Sequence, residues 1–267
     1  MSRLALIAGA GGLPAELAAE LEAAPLVCAL DGFAPEGLAV ERAFRIERLA
    51  PFMRQLADDG VTAVVFAGAM QRPRLDPALF DRETAALVPR MMGMMQGGDD
   101  ALLRGVIALF EEYDLPVRGL AELAPRLLAP EGVLGERGPT AAESADAERG
   151  VAILEALAPV DVGQGCVVCA GQCLGIEALY GTDALLADVA RNRPLRQPPS
   201  GGVFVKRAKR GQDLRIDLPT IGPDTITAAA TAGLTGLCLQ AGQVVILQRE
   251  TVLAQAAWAG LALWALP

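Results

Sequence analysis

The sequence predicts an α/β protein of two domains, a parallel sheet clothed by helices over residues 1–132 and a mixed α/β domain over 133–267. Three observations carry this. Strand-type apolar runs alternate with helical patterns through the N-terminal part, the signature of a parallel sheet with helices on its faces. A glycine-rich turn joins the first strand to the first helix. A stretch rich in Pro and Gly from Pro125 to Pro139 then separates that series from a second one, as a domain boundary does.

In the N-terminal series, residues 4–8 read as a strand that ends in Gly9-Ala10-Gly11-Gly12-Leu13-Pro14, followed by a helix over 15–23. Leu26–Leu30 is the second strand and 43–46 a short third. A helix over 51–58 closes at Gly60, and Val61–Ala67 reads as a buried strand. Residues 70–99 are rich in Pro, Met and Gly. There Met91-Met92-Gly93-Met94-Met95 fits core packing or a lipid-contacting surface, because Met adapts to irregular apolar shapes. A helix is expected over 100–113, then a short strand and turn over 116–120.

Beyond the boundary a helix is expected over Ala141–Leu157. Two strands, 166–170 and 173–178, flank Gly171-Gln172, a hairpin signal. A helix over 181–191, a Pro/Gly-rich loop over 193–202 and a strand over Val203–Lys206 follow. A helix over 225–232, strands over 237–239 and 244–247, and a terminal helix and strand over 251–267 complete the series. That last stretch is short for a membrane span and lacks basic flanks, and no signal peptide is evident.

Composition limits the chemistry. The chain of 267 residues has 23 Lys and Arg against 32 Asp and Glu, a net charge of -9, which argues against a nucleic-acid partner. It has no histidine. That removes Ser-His-Asp and Cys-His catalysis and histidine-ligated zinc. Acid–base work falls to carboxylates, Lys, Tyr, Cys or metal-bound water, and a divalent cation would take oxygen ligands, as Mg2+ or Mn2+ does. Cys166 and Cys169 form a CxxC, but on a strand and without a second CxxC it reads as small core residues in a reducing compartment.

Five constellations could carry chemistry. Gly9, Gly11 and Gly12 lie between strand and helix, where backbone amides can cradle a phosphate; a tight turn explains them equally. Met70 and Arg72 follow Gly68 at the carboxyl end of a central strand, where parallel sheets gather ligands. Asp99 and Asp100 follow two glycines at a helix start, as caps or as ligand contacts. Glu177, Thr182 and Asp183 run from a strand through a Gly-Thr turn into a helix. The fifth runs from Lys206 to Pro223 and concentrates base in an acidic chain. In it Leu214, Ile216 and Leu218 alternate, so a strand would carry Asp213 and Asp217 on one side. Thr220, Gly222 and Thr225 then lead into a helix whose N-terminus could take phosphate.

The combination resembles the LpxI family of UDP-2,3-diacylglucosamine pyrophosphatases of lipid A biosynthesis. The resemblance rests on residues 9–14, 68–73 and 98–102, on Asp161-Val162-Gly163-Gln164, on Glu177 with Gly181-Thr182-Asp183, and on 212–223. Tyr180 stands where an acidic residue is expected before Gly-Thr-Asp. The resemblance implies a Rossmann-like N-terminal domain and a distinct C-terminal one. It implies Mg2+-assisted hydrolysis of UDP-2,3-diacylglucosamine to UMP and 2,3-diacylglucosamine 1-phosphate (lipid X).

On that footing Asp217 is the first choice for the essential acid, with Asp213 and Asp183 next. Lys206 is expected to act beside them. Asp217, Asp183 and Glu177 are the expected metal ligands. Gly9, Gly11, Gly12, Met70, Arg72, Asp99, Asp100, Gln164, Thr182, Lys209, Thr220, Gly222 and Thr225 are the expected substrate contacts. The protein would be cytoplasmic, meet the cytoplasmic face of the inner membrane transiently, and be able to form a homodimer. Two other readings compete. One is a nicotinamide-dependent oxidoreductase of a nucleotide sugar, with Asp31 on the ribose. The other is a non-catalytic nucleotide sensor.

Overall fold

The computed structural model describes the chain apart from residues 1–2, 71–74, 97–98, 196–199, 210 and 212, and apart from the side chains of 95, 96, 99 and 100. It forms two compact units. One comprises Met1–Pro125 with Asp213–Asp217, the other Arg126–Gln212 with Leu218–Pro267.

The first unit runs β1 (Arg3–Ala8), α1 (Leu13–Glu20), β2 (Leu26–Leu30), β3 (Arg42–Phe44), α2 (Leu49–Asp58), β4 (Val61–Ala67), α3 (Arg82–Gln96), α4 (Asp99–Glu111), β5 (Val117–Arg118) and α5 (Leu120–Leu123). Its strands form one sheet in the order β3-β2-β1-β4-β5. Every neighbouring pair is parallel. The order reverses direction between β1 and β4, which makes their carboxyl ends the topological switch point. The inner strands are almost wholly apolar because both sheet faces are covered, with Arg3 and Thr62 the exposed exceptions near the strand starts. Ile7, Cys28, Leu30, Val64 and Phe66 pack with Phe52, Met53, Leu56, Ile107 and Phe110 of the helices.

Within residues 70–99, α3 is a helix the sequence did not announce, and it carries Pro89 in its interior. Proline there removes a backbone donor, so the helix relies on its ends and its packing. Asp81 caps it, accepting from the amides of Glu83 at 2.9 Å and Thr84 at 3.0 Å. Gly105 of α4 supplies the other support: a Cβ there would lie 2.2 Å from Sδ of Met94, so the thioether fills the notch that the glycine leaves. Met92 is exposed. The methionine run is thus divided between packing and surface.

The second unit runs β6 (Gly132–Val133), α6 (Ala141–Leu157), β7 (Gly165–Cys169), β8 (Gln172–Ile176), α7 (Gly181–Asn192), β9 (Val203–Lys206), β10 (Thr220–Ile221), α8 (Pro223–Thr231), β11 (Gly236–Gln240), β12 (Val245–Ile246), α9 (Arg249–Trp258) and β13 (Ala262–Leu266). Six of these strands form a mixed sheet, β6-β13-β11-β9-β7-β8, and β10 pairs with β12. Strand periodicity sorts its core into two layers. Cys166, Val168, Val203, Val205 and Cys238 meet Ala147 and Leu154 of α6. Val167, Phe204, Leu237 and Leu239 meet α7, α8 and α9 through Leu186, Ile226 and Val252.

Two polar devices hold α6. Thr140 and Glu143 form a reciprocal capping box at its start. Asp146, buried, accepts from the amides of Ala170 at 3.0 Å and Gly171 at 2.7 Å. Those two residues are the hairpin turn between β7 and β8, with φ of 50° and 73°, the mirror-image turn that matches strand twist. Only glycine takes such a φ without strain, so Asp146 compensates for Ala170. Among the described residues no helix is long and apolar enough to cross a membrane.

Candidate functional site

At the switch point of the first unit, the loops after β1 and β4 are zipped together by backbone. Gly9 N donates to Ala67 O at 2.7 Å, and Ala10 and Ala69 exchange bonds of 2.9 Å in both directions. A Cβ on Gly9 would lie 2.6 Å from Ala69 O, and one on Gly68 would lie 2.7 Å from Gly9 C. These glycines are therefore required by loop on loop. Gly11 and Gly12 differ: nothing lies within 4 Å of their Cβ positions, and Gly11 has φ +89°. Gly12 caps α1 without a side chain, so the first amides of the helix have no side-chain acceptor from their cap. Met70 is exposed beside this edge. Arg72 lies outside the described residues. Asp99 and Asp100 open α4, and their side chains lie outside the described set.

Asp31, the residue an oxidoreductase would use on ribose, accepts from Nη1 of Arg45 at 2.8 Å. The four buried thiols are unsuited to redox work. Burial pushes Cys28 up to about 11 and Cys166 and Cys238 up to about 12, and it raises Cys169 as well.

The segment bearing Asp213 and Asp217 is a turn, which corrects the strand expected from its alternating apolar residues. The cause is local. Asp213 accepts from the backbone N–H of Arg215 at 3.1 Å, the short-range bond that lets Asp favour turns. It also accepts from Arg215 Nε at 3.0 Å and Nη2 at 2.7 Å. The Arg215 guanidinium holds the Asp213 carboxyl below the usual carboxylate range. Asp217 is exposed. The two acids accordingly do not share a strand face.

In the second unit, Phe204 and Lys206 occupy the alternate face of β9 from Val203 and Val205, which turns Lys206 toward α7. Lys206 is 3% exposed. Its Nζ donates to Glu177 Oε1 at 2.9 Å, to Glu177 Oε2 at 2.7 Å and to Thr182 Oγ1 at 2.7 Å. An ammonium has three donors, and all three are engaged. Gly165 makes room for the pair: a Cβ there would lie 2.6 Å from Glu177 Oε2. Lys206, Glu177 and Thr182 are thus brought together, while Asp183 is exposed on the first turn of α7. Lys209 is turned elsewhere, donating to Asp161 Oδ1 at 2.8 Å and Asp161 O at 3.2 Å. The Gln164 carbonyl accepts from Arg207 N at 2.8 Å.

Gly222 is the cap residue of α8, and its N–H donates to Thr225 Oγ1 at 3.2 Å, so the buried Thr225 hydroxyl fastens the helix start. Thr220 directs its hydroxyl to Leu218 O at 3.1 Å.

Glu177 meets an ammonium where a metal ion was expected. A cation there would compete with the Lys206 ammonium for both oxygens. Among the described residues no three Asp, Glu or Cys side chains gather as a metal-binding group. Gly165 carries no motif and Arg215, although inside the basic stretch from Lys206 to Pro223, was not singled out from sequence. The one signal for Arg215 was its place two residues after an Asp.

The LpxI N-terminal domain model matches residues 3–127 and the LpxI C-terminal domain model residues 130–264. The UDP-2,3-diacylglucosamine pyrophosphatase LpxI of Caulobacter vibrioides is 37% identical over 272 aligned residues, which cover 98% of this chain and 96% of that protein. With both halves matched in order, and with a parallel sheet followed by a mixed one, the chain belongs to the LpxI family.

Proposed function

We propose that the protein hydrolyses the pyrophosphate of UDP-2,3-diacylglucosamine, giving UMP and 2,3-diacylglucosamine 1-phosphate (lipid X) for lipid A synthesis. The observation that carries this is the likeness to the Caulobacter pyrophosphatase along nearly the whole chain. The absence of histidine is compatible, since anhydride hydrolysis can run on carboxylates and cations alone.

In this reading Asp217 is the essential acid, exposed and able to orient or deprotonate the attacking water. Gly11, Gly12 and the first amides of α1 offer an anion-binding backbone to the UDP phosphates. Lys209 supplies positive charge to the phosphoryl group. Met70, Arg72, Asp99, Asp100, Gln164, Thr220 and Gly222 remain proposed contacts of the nucleotide sugar. Thr182 and Thr225 support the site through the bonds of their hydroxyls.

A divalent cation, Mg2+ or Mn2+, belongs to the proposal. Among the described residues no three acids assemble a metal-binding group, but such ions are commonly held by one or two carboxylates together with substrate phosphates. Asp217 is the carboxylate assigned to it, with Asp183 the alternative. When bound, the ion would neutralise charge on the pyrophosphate. Because the substrate is an amphiphile, the protein would meet it transiently at the cytoplasmic face of the inner membrane.

The test is UMP release from UDP-2,3-diacylglucosamine by purified protein, with Mg2+ and with EDTA, beside Asp217→Ala. Release that needs the cation and is lost in the variant is expected. Release undiminished in Asp217→Ala would move the essential acid elsewhere. No release by well-folded wild-type protein would sink the hydrolase reading.

A further inference from the structure

The segment Asp213–Asp217 belongs to the first unit although the residues on either side of it belong to the second. Five residues that leave one unit to join another need an anchor. Arg215 provides it. Nη1 donates to Glu111 Oε1 at the end of α4 at 2.8 Å. Nε and Nη2 grip Asp213 from the other side of the guanidinium. The stem of Arg215 packs on Gly119, where a Cβ would lie 3.5 Å from both Cα and Cγ of Arg215. Ile216, next in the chain, packs against the apolar core of the same unit. Asp217 follows at once and is exposed.

Resting on the proposed hydrolysis, we infer that Arg215 is a positioning residue. Clipped between Asp213 and Glu111, it fixes the turn from which Asp217 reaches the substrate. Asp213 is the near jaw of that clip, and its chemistry is spent on Arg215. The two acids, four residues apart in the chain, therefore take different parts, Asp217 at the reaction and Asp213 behind it. A guanidinium suits this work because its fork can meet one acid on each edge, which a single ammonium does less well.

The Arg215 and Glu111 side chains are 41% and 43% exposed, and exposed pairs contribute little to global stability. The fold should survive loss of the clip while the geometry does not. A displacement of about 1 Å at a reacting group can cost about 10²-fold in rate.

The experiment measures UMP release, thermal midpoint and hydrogen exchange of the peptide over 213–217, in wild type, Arg215→Ala, Arg215→Lys and Asp213→Asn. For Arg215→Ala the expected result is a kcat lower by about 10²-fold, KM little changed, an unchanged midpoint and faster exchange in the turn. Arg215→Lys should recover part of kcat. Asp213→Asn should keep measurable turnover, since an amide still accepts from the guanidinium.

Wild-type kcat in Arg215→Ala overturns the inference and leaves the hydrolase reading intact. So does a higher KM with kcat preserved, which would make Arg215 a substrate ligand. Turnover abolished in Asp213→Asn, with exchange as slow as in wild type, overturns the role given to Asp213. If wild type itself releases no UMP, the functional reading fails, and the anchor is then judged by exchange alone: equal exchange in Arg215→Ala and wild type refutes it.

Discussion

Lys206 and Arg215 are both cations beside acids, yet the two units use them in opposite ways. The second unit buries Lys206 under its sheet with Glu177 and Thr182. The first leaves Arg215 near the surface between Asp213 and Glu111. Removing charge from water costs several kcal/mol per ion, and only good geometry offsets it. The buried pair is therefore a structural commitment: neither partner can be lost cheaply. The exposed clip is cheap to make and cheap to break, so it can set a geometry without setting the stability. A titratable residue near a candidate site thus needs its burial known before it is given a chemical part.

The largest effect is expected where that commitment is broken. Lys206→Met leaves the Glu177 carboxylate buried beside Gly165 without its counter-charge. The loss should be about 3–5 kcal/mol of unfolding free energy, measured by urea titration. Replacing both partners, as in Lys206→Met with Glu177→Leu, should recover most of it. If the single variant costs under about 1 kcal/mol, the range for surface pairs, Lys206 is not committed to the fold and can be returned to the phosphoryl chemistry.

The first unit's counterpart to that buried pair is made of backbone. Gly68 has φ +97° and its Cβ position is filled by Gly9. Gly68→Ala adds a left-handed backbone penalty to an overpacked contact, together on the order of 3 kcal/mol. Gly12→Ala meets open space and needs no positive φ, so its stability cost should be small. An equal loss from both, in the same melts, would remove the distinction between the glycine that packs and the glycine that faces outward.

A smaller effect is expected at Glu143. The Arg137 guanidinium, aided by Thr140, lowers its carboxyl from 4.5 to about 2. A depressed acid stabilises the fold above its unfolded value and loses that contribution as pH falls through the folded one. Glu143→Gln should therefore cost about 1–3 kcal/mol near neutrality. The gap between variant and wild type should close as pH drops from about 4.5 toward 2. A gap that stays constant over that range would show that packing, not charge, makes the contribution.

The same contrast explains what could be read from the sequence. Leu26–Leu30 and Val61–Ala67 were legible because a strand covered on both faces is a nearly unbroken apolar run, a local property that Thr62 alone interrupts. The hairpin was legible from its glycine, although the turn falls on Ala170-Gly171 where Gly171-Gln172 was expected. α3 was not, because Pro89 and the surrounding Met and Gly hide a helix that depends on Asp81 and Gly105. At the site, Lys206, Glu177 and Thr182 could each be singled out. Their mutual engagement could not, since it joins residues 29 and 24 positions apart. The turn at 213–217 misled because an alternating pattern reads as a strand until the Asp213 side chain is seen to hold the Arg215 amide.

The smallest stability effect, and the sharpest contrast with Lys206, is expected at Lys209. It too has an acid partner, Asp161 at 2.8 Å, but the pair's side chains are 22% and 49% exposed. Water screens such a pair, and ordering the long Lys209 side chain offsets much of the attraction. Lys209→Ala should move the unfolding free energy by less than about 1 kcal/mol. If Lys209 serves the phosphates of the substrate, the same variant should raise KM for UDP-2,3-diacylglucosamine and flatten its dependence on salt. Unchanged KM with unchanged stability would leave Lys209 an ordinary surface cation. A stability loss as large as that of Lys206→Met would mean that the basic stretch after β9 is structural throughout, and the phosphate charge would then have to come from the first unit.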